Sequence, residues 1–271
     1  MSSPSSRRPR RLDAVRDKAL NLGSPGLAVA ILLVAWEVWV RLTDQPRYIM
    51  VPFSDVLSAC WDGRGQLLHH TWVTTVESVY GFVLAAAIGV PLAFAIVSLR
   101  PVQKGIFPLV VVYHVIPTIA IAPLLSTWFG FGMTPKLLIV ANFAFFPIML
   151  NTIIGLRSTQ PLQIQLFRIT GANTWQTFWK LRMPNALPQI FVGLKIASTL
   201  AVIGAVVAEY VSASAGLGYY VLLANGNLDI QSLMTGVVYL SILGSLFFGA
   251  MQIVERVATP WHLSQRTPVG R

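Results

Sequence analysis

Charge, cysteine and nucleotide-binding glycine motifs are all scarce in this chain, and each shortage excludes something. Only 11% of the 271 residues are charged, against about 25% in an ordinary globular domain. With 55% hydrophobic residues and a mean hydropathy of +0.65, a soluble domain is excluded and lipid is the expected solvent. One cysteine, Cys60, leaves no intramolecular disulfide and no reading of redox compartment. No Gly-Lys dipeptide occurs, so the GxxxxGK[ST] phosphate loop is missing and ATP is not bound by that route. His69 and His70 are adjacent, so on a helix they point about 100° apart and cannot share a metal as an i,i+4 pair does. They read as surface histidines, and neither a metal nor a cofactor is expected. Without a legible Ser/His/Asp arrangement, catalysis is not expected either.

What is present is a series of long apolar runs. Only helices and closed barrels satisfy the backbone in hydrocarbon, and continuous rather than alternating runs favour helices. A span needs about 20 residues. Six stretches qualify, at roughly 26–42, 73–98, 106–128, 136–155, 188–211 and 233–254, the first interrupted by Glu37. The expectation is an all-α integral membrane protein with six transmembrane helices. A basic tail over 1–24, a membrane domain over 25–262 and a short tail over 263–271 complete the division.

Most of the twenty Lys and Arg residues lie in alternate connections: before the first span, at Arg100 and Lys104, at Arg157, Arg168, Lys180 and Arg182, and after the sixth span. Basic connections stay in the cytoplasm, so both termini are expected inside. The formal charge of +10 is thus a topology signal with attraction to anionic lipid, and no nucleic-acid partner is expected. The SSPSSRRPRR composition of the tail argues for disorder. The region before the first apolar run is too long for a signal peptide and no small-residue cleavage pattern follows, so an uncleaved first helix is expected.

The first outside connection, 43–72, carries a helix start at Ser54 and Asp55 and reads as a short helix on the outer surface. In the last outside connection the apolar patch from Tyr219 to Leu223 is too short to span, so a re-entrant or surface helix is expected. Pro117 and Pro123 mark the third span for a bend or break. Ionisable groups inside spans cost about 2.5–3.5 kcal/mol on insertion scales. Glu77 and Glu209 fall near outer span ends and Lys195 near an inner one, where snorkelling relieves that cost. His114 reads as a buried hydrogen-bonding group or a pathway residue, and Asn142, Asn151 and Glu209 are the other pathway candidates.

The segment between Pro161 and Pro188 differs from everything around it. Pro161 opens a helix whose Leu162, Leu166 and Ile169 share a face at i, i+4, i+7 spacing. Gly171 stops it. Thr174 then caps a second short helix through Trp175, Phe178 and Leu181, which Pro184 and Pro188 end. The result is an amphipathic, basic knob on the cytoplasmic side; the plain alternative is an interfacial helix lying on lipid.

Gly171, nine residues, Leu181-x-Met183-Pro184 resembles the cytoplasmic loop motif of ABC importer permeases: EAA, three residues, G, nine residues, I-x-L-P. The segments IPTIAIAPLLSTWFGFGMTPK (116–136), FFPIMLNTIIGLRS (145–158), GANTWQTFWKLRMPNALP (171–188) and AEYVSASAGLGYYV (208–221) are similar to the sulfonate/nitrate/taurine branch. The resemblance covers about residues 50 to 262. It implies the type I ABC importer permease architecture, with a cytoplasmic coupling helix between the fourth and fifth spans. It also implies two ABC ATPase subunits, a second permease chain forming a homodimer, an extracytoplasmic binding protein, and a bacterial inner-membrane location.

On these positions the resemblance places ATPase docking at Gln165, Arg168, Gly171, Ala172, Trp175, Phe178, Leu181 and Pro184. Where the family motif has EAA this chain reads Gln165, Leu166, Phe167, so the glutamate and any ion pair it makes are absent. Gly171→Asp, by forcing a side chain into the turn, is expected to abolish uptake. An ion-coupled secondary transporter is the rival, and it would show mid-membrane carboxylates and repeat symmetry. An intramembrane enzyme would need a clustered polar site.

Overall fold

The computed structural model describes residues 11–43 and 46–260, with side chains from Gly26 onward. The tail segments 1–10 and 263–271 lie outside the described residues. Among the described residues all regular structure is helical: α1 (Arg11–Thr43), α2 (Phe53–Asp62), α3 (Arg64–Ser98), α4 (Arg100–Val115), α5 (Thr118–Phe129), α6 (Met133–Arg157), α7 (Pro161–Ile169), α8 (Thr174–Thr177), α9 (Met183–Ser212), α10 (Leu217–Gly226) and α11 (Ile230–Ala258). Five of these stretches are long and apolar enough to cross a membrane, and the bent pair α4–α5 raises the number to as many as 6. The expected all-α, six-span architecture is what the chain adopts.

Helices α3, α6 and α9 form the centre. Their contact is built from small side chains, Ala85 on α3, Ala144 on α6 and Ala197, Ala201 and Ala205 on α9, all at 0% exposure, with Phe82, Val140 and Ile148 filling between them. In lipid, where apolar burial drives little association, small residues bring backbones close enough for dispersion contacts. The approach of α9 to α6 shows how close: a Cβ at Gly193 would lie 2.7 Å from the Asn151 Cβ and 2.8 Å from the Pro147 carbonyl. By contrast α1 and α11 are peripheral, each with 6% of its spanning window buried.

The third expected span breaks. Helices α4 and α5 meet at 98°, at Ile116 with ψ 124 and Pro117 with ψ 115. Pro117 pushes Ile116 out of the helical region and offers no N–H to continue the ladder. Pro123 sits inside α5 without ending it.

Two local expectations need correction. Asn173, rather than Thr174, caps α8. Pro184 and Pro188 do not end the second short helix, because α8 runs through a π-turn at Phe178–Arg182 into α9 as one helical stretch, Thr174–Ser212. The Met183 N–H bonds to Phe178 O, five residues back, and this wider register opens the turn ahead of Pro184, where an α-helix would meet the ring with a carbonyl.

The connections that follow α1 and α9 carry the expected short helices, α2 and α10. Glu37 of α1 accepts from Ser54 N at 3.1 Å and Ser54 Oγ at 2.9 Å, and pairs with Arg41 at 2.7 Å. The residue that interrupts the first apolar run thus caps α2 from outside. The ten-residue α10 packs against α9, α11 and α3.

Candidate functional site

The 161–184 segment is anchored at one end and open at the other. None of α7 is buried, and Leu162, Leu166 and Ile169 are exposed, Ile169 by 82%. Its end is a Schellman closure: Gly171 N–H bonds to Arg168 O and Ala172 N–H to Phe167 O, both at 3.0 Å, with Gly171 at φ +78. Nothing lies within 4 Å of a Cβ built on Gly171. A side chain there is disfavoured by backbone conformation, then, and not by crowding. In α8, Asn173 Oδ1 accepts from Gln176 N at 2.8 Å while Gln176 Oε1 accepts from Asn173 N at 3.0 Å, a reciprocal capping box.

The aromatic residues divide by direction. Trp175 is 69% exposed and stands edge-on to exposed Trp179, with ring centroids 5.5 Å apart. Phe178 turns inward, edge-on to Phe94 at 5.3 Å and packed with Leu156, Ala186 and Ile190. Gln165 and Arg168 are exposed; Ala172, Leu181 and Pro184 are half-buried. Phe178 therefore roots the knob, and Leu162, Leu166, Ile169 and Trp175 are left exposed among the described residues.

A second cluster lies where α3, α6, α9 and α10 meet. Glu209 and Glu77 are 1% and 2% exposed, so neither snorkels; the expectation from their span-end positions is overturned by burial under α10 and beside α6. Glu209 accepts from Thr74 Oγ1 at 2.7 Å, from Gly218 N at 2.5 Å and from Tyr219 N at 3.3 Å. Thr74 Oγ1 also accepts from Leu217 N at 2.8 Å. His70 is buried, not a surface histidine, and its Nδ1 accepts from Gly216 N at 3.0 Å. Lys136 Nζ donates to Glu77 Oε1 at 2.7 Å. Gly216, at φ +123, sits so close that a Cβ there would run into the Glu209 carboxylate.

Residues 81–259 match the family described as binding-protein-dependent transport system inner membrane component. The chain belongs to this family of ABC transporter permeases. The permease is 33% identical to the formylaminopyrimidine transport permease ThiX of Halalkalibacterium halodurans, over 89% of this chain and 96% of that one. It is 32% identical to the riboflavin transport permease RibX of Chloroflexus aurantiacus, covering 90% and 91%, and 28% identical to the taurine transport permease TauC of Escherichia coli, covering 91% of each. Among solved structures, the inward-facing MetNI methionine ABC transporter overlays 72% of this chain and 96% of its own with TM-score 0.64 at 20% identity, a likeness of fold. The resemblance read from the loop motif is thereby shown, and with it a multi-pass inner-membrane protein that is a transport subunit and not itself an enzyme.

The pathway candidates of this permease are not brought together. Asn142 Nδ2 donates to Thr118 Oγ1 at 3.0 Å, tying α6 to α5. Asn151 accepts from Gln189 Nε2 at 2.9 Å, tying α6 to α9. His114 is exposed and stacks on Phe146 with centroids 3.9 Å apart, which overturns its reading as a buried hydrogen-bonding group. Glu209 belongs to the cluster above. None of the four lines the apolar groove of 690 Å³ between α9 and α11 or that of 910 Å³ among α2, α3 and α11. Lys195, expected to snorkel, pairs with Glu255 of α11 at 2.8 Å.

Sequence reading missed Thr74, His70, Gly216 and the Glu77–Lys136 pair. The available signal was Glu209 followed closely by Gly216-Leu217-Gly218, an acid next to a glycine-flanked helix start. It could not reveal that α3 supplies the other half.

Proposed function

We propose that this permease passes a small polar or anionic organic nutrient, delivered by an extracytoplasmic binding protein, and is driven by separate ABC ATPase subunits docking on residues 161–184. The observation that carries the reading is the rooted knob with an exposed apolar face: Leu162, Leu166, Ile169 and Trp175 are exposed while Phe178 is held against Phe94. A short amphipathic helix presenting apolar anchors at i, i+4, i+7 suits a groove on a partner. With Gln165 in place of the family glutamate, docking rests on apolar burial, with Arg168 beside it.

Two ATPase copies and a second copy of this chain complete the assembly, with both termini on the cytoplasmic side of a bacterial inner membrane. The pathway runs between the two permease chains, which fits the separation of Asn142, Asn151, His114 and Glu209 within one. The relatives named for formylaminopyrimidine, riboflavin and taurine support a compact polar organic substrate.

The test is co-purification and reconstitution with the ATPase. A cysteine at Gln165, in a Cys60→Ser background, should crosslink to that subunit, and uptake should follow ATP hydrolysis. Gly171→Asp should reduce uptake strongly with insertion intact, by straining the Schellman turn and placing a charge on the docking face. Uptake that follows a proton gradient without ATP hydrolysis would overturn the reading.

A further inference from the structure

The cluster around Glu209 does not balance in charge. Two carboxylates, Glu77 from α3 and Glu209 from α9, are buried here with one ammonium, Lys136 from α6, which is bonded to Glu77. The imidazole of His70 adds no positive charge, because its Nδ1 accepts from Gly216 N and so carries no proton. From α10 the contributions are backbone N–H groups of Leu217, Gly218 and Tyr219, all uncharged, with the Tyr219 and Tyr220 rings beside His70. One negative charge is left over in a place almost wholly closed to solvent.

Hydrogen bonding shows a matching gap. Three donors serve Glu209, and Lys136 serves Glu77 Oε1, but Glu77 Oε2 is buried without a donor. Glu77 stands three residues along α3 from Thr74, whose hydroxyl bonds Glu209, so the helix turn sets the two carboxyl groups on the same face as neighbours. Neither can donate while both are ionised. A single proton removes the surplus charge and supplies the missing donor together, as in carboxylate pairs too close for both members to ionise.

We propose that Glu77 and Glu209 are a proton-binding pair, sharing one proton between their facing oxygens. The proton belongs to both residues jointly. It lets α3, α6, α9 and the start of α10 be stitched together by polar contacts without burying a net charge.

Infrared spectroscopy of the purified permease in nanodiscs, with and without ¹³C-glutamate labelling, tests this without substrate or ATPase, so its outcome is independent of the transport reading. At neutral pH the wild type should show a label-sensitive carboxylic-acid carbonyl band. That band should be lost in Glu77→Gln and equally in Glu209→Gln, because removing either partner leaves the other ionised with its remaining donors. Glu77→Asp and Glu209→Asp, which keep an acid on each helix, should shift the band instead of deleting it. Absence of the band in the wild type, or its survival in either glutamine variant, overturns the shared proton.

Discussion

The hydroxyl of Thr74 on α3 donates to Glu209 of α9 at 2.7 Å while accepting the backbone N–H of Leu217 at 2.8 Å, so one small side chain joins three helices. Replacing it by valine keeps the shape and removes both bonds, leaving a buried carboxylate oxygen and an N–H short of partners. Thr74→Val should cost about 1–3 kcal/mol, read as a lower unfolding temperature in detergent. Thr74→Ser, which keeps the hydroxyl and both bonds, should recover most of that loss.

Gly216 has φ 123 and ψ 163, a conformation open essentially to glycine alone, and a Cβ would meet the Glu209 carboxylate. Gly216→Ala should therefore cost about 1–3 kcal/mol in backbone strain with displacement of the carboxylate added. Thermal unfolding beside Thr74→Val should rank it the more damaging of the two.

Lys136 is 12% exposed and Glu77 2%. Removing one member of a buried pair leaves the other uncompensated, at about 3–5 kcal/mol. Lys136→Met should thus destabilise the fold strongly, and Glu77→Gln in the same chain should recover part of the loss. A double-mutant cycle by chemical unfolding measures the coupling.

Trp175 and Phe178 are three residues apart with opposite fates, one 69% exposed and the other held against Phe94. Phe178→Ala should cost about 3–5 kcal/mol of stability. Trp175→Ala should leave stability within about 0.5 kcal/mol while weakening coupled uptake in proteoliposomes. A stability loss for Trp175→Ala equal to that of Phe178→Ala would argue that both are internal packing.

Leu166 and Ile169 are 54% and 82% exposed. On the proposed docking of this face against an ATPase, a glutamate at either should leave unfolding unchanged but lower ATP-driven transport about tenfold or more, the effect of losing roughly 1.4 kcal/mol of binding. Measuring uptake and ATP hydrolysis on the same vesicles separates loss of docking from loss of folding.

Much of this was already written along the chain. The apolar runs announce helices because hydrocarbon offers the backbone no other partner, and Pro117 marks the break between α4 and α5 by chemistry local to the proline. The knob over 161–184 was legible through its spacing and its glycine, as was the family through the loop motif. Asn142 and Asn151 were legible only as polar residues in apolar surroundings, with nothing to say what they bond.

Tertiary structure decided the rest, wherever an outcome depends on groups distant in the chain. Glu209 and Thr74 are 135 residues apart, so local sequence shows an acid near a span end and not a carboxylate enclosed by three helices. The same holds for His70 beneath Gly216 and for Phe178 rooted on Phe94. Secondary structure here follows from short-range hydrogen bonding and hydropathy, which a linear reading contains. Burial and pairing of polar groups follow from which helix faces meet, and that is settled only when α3, α6 and α9 close on one another.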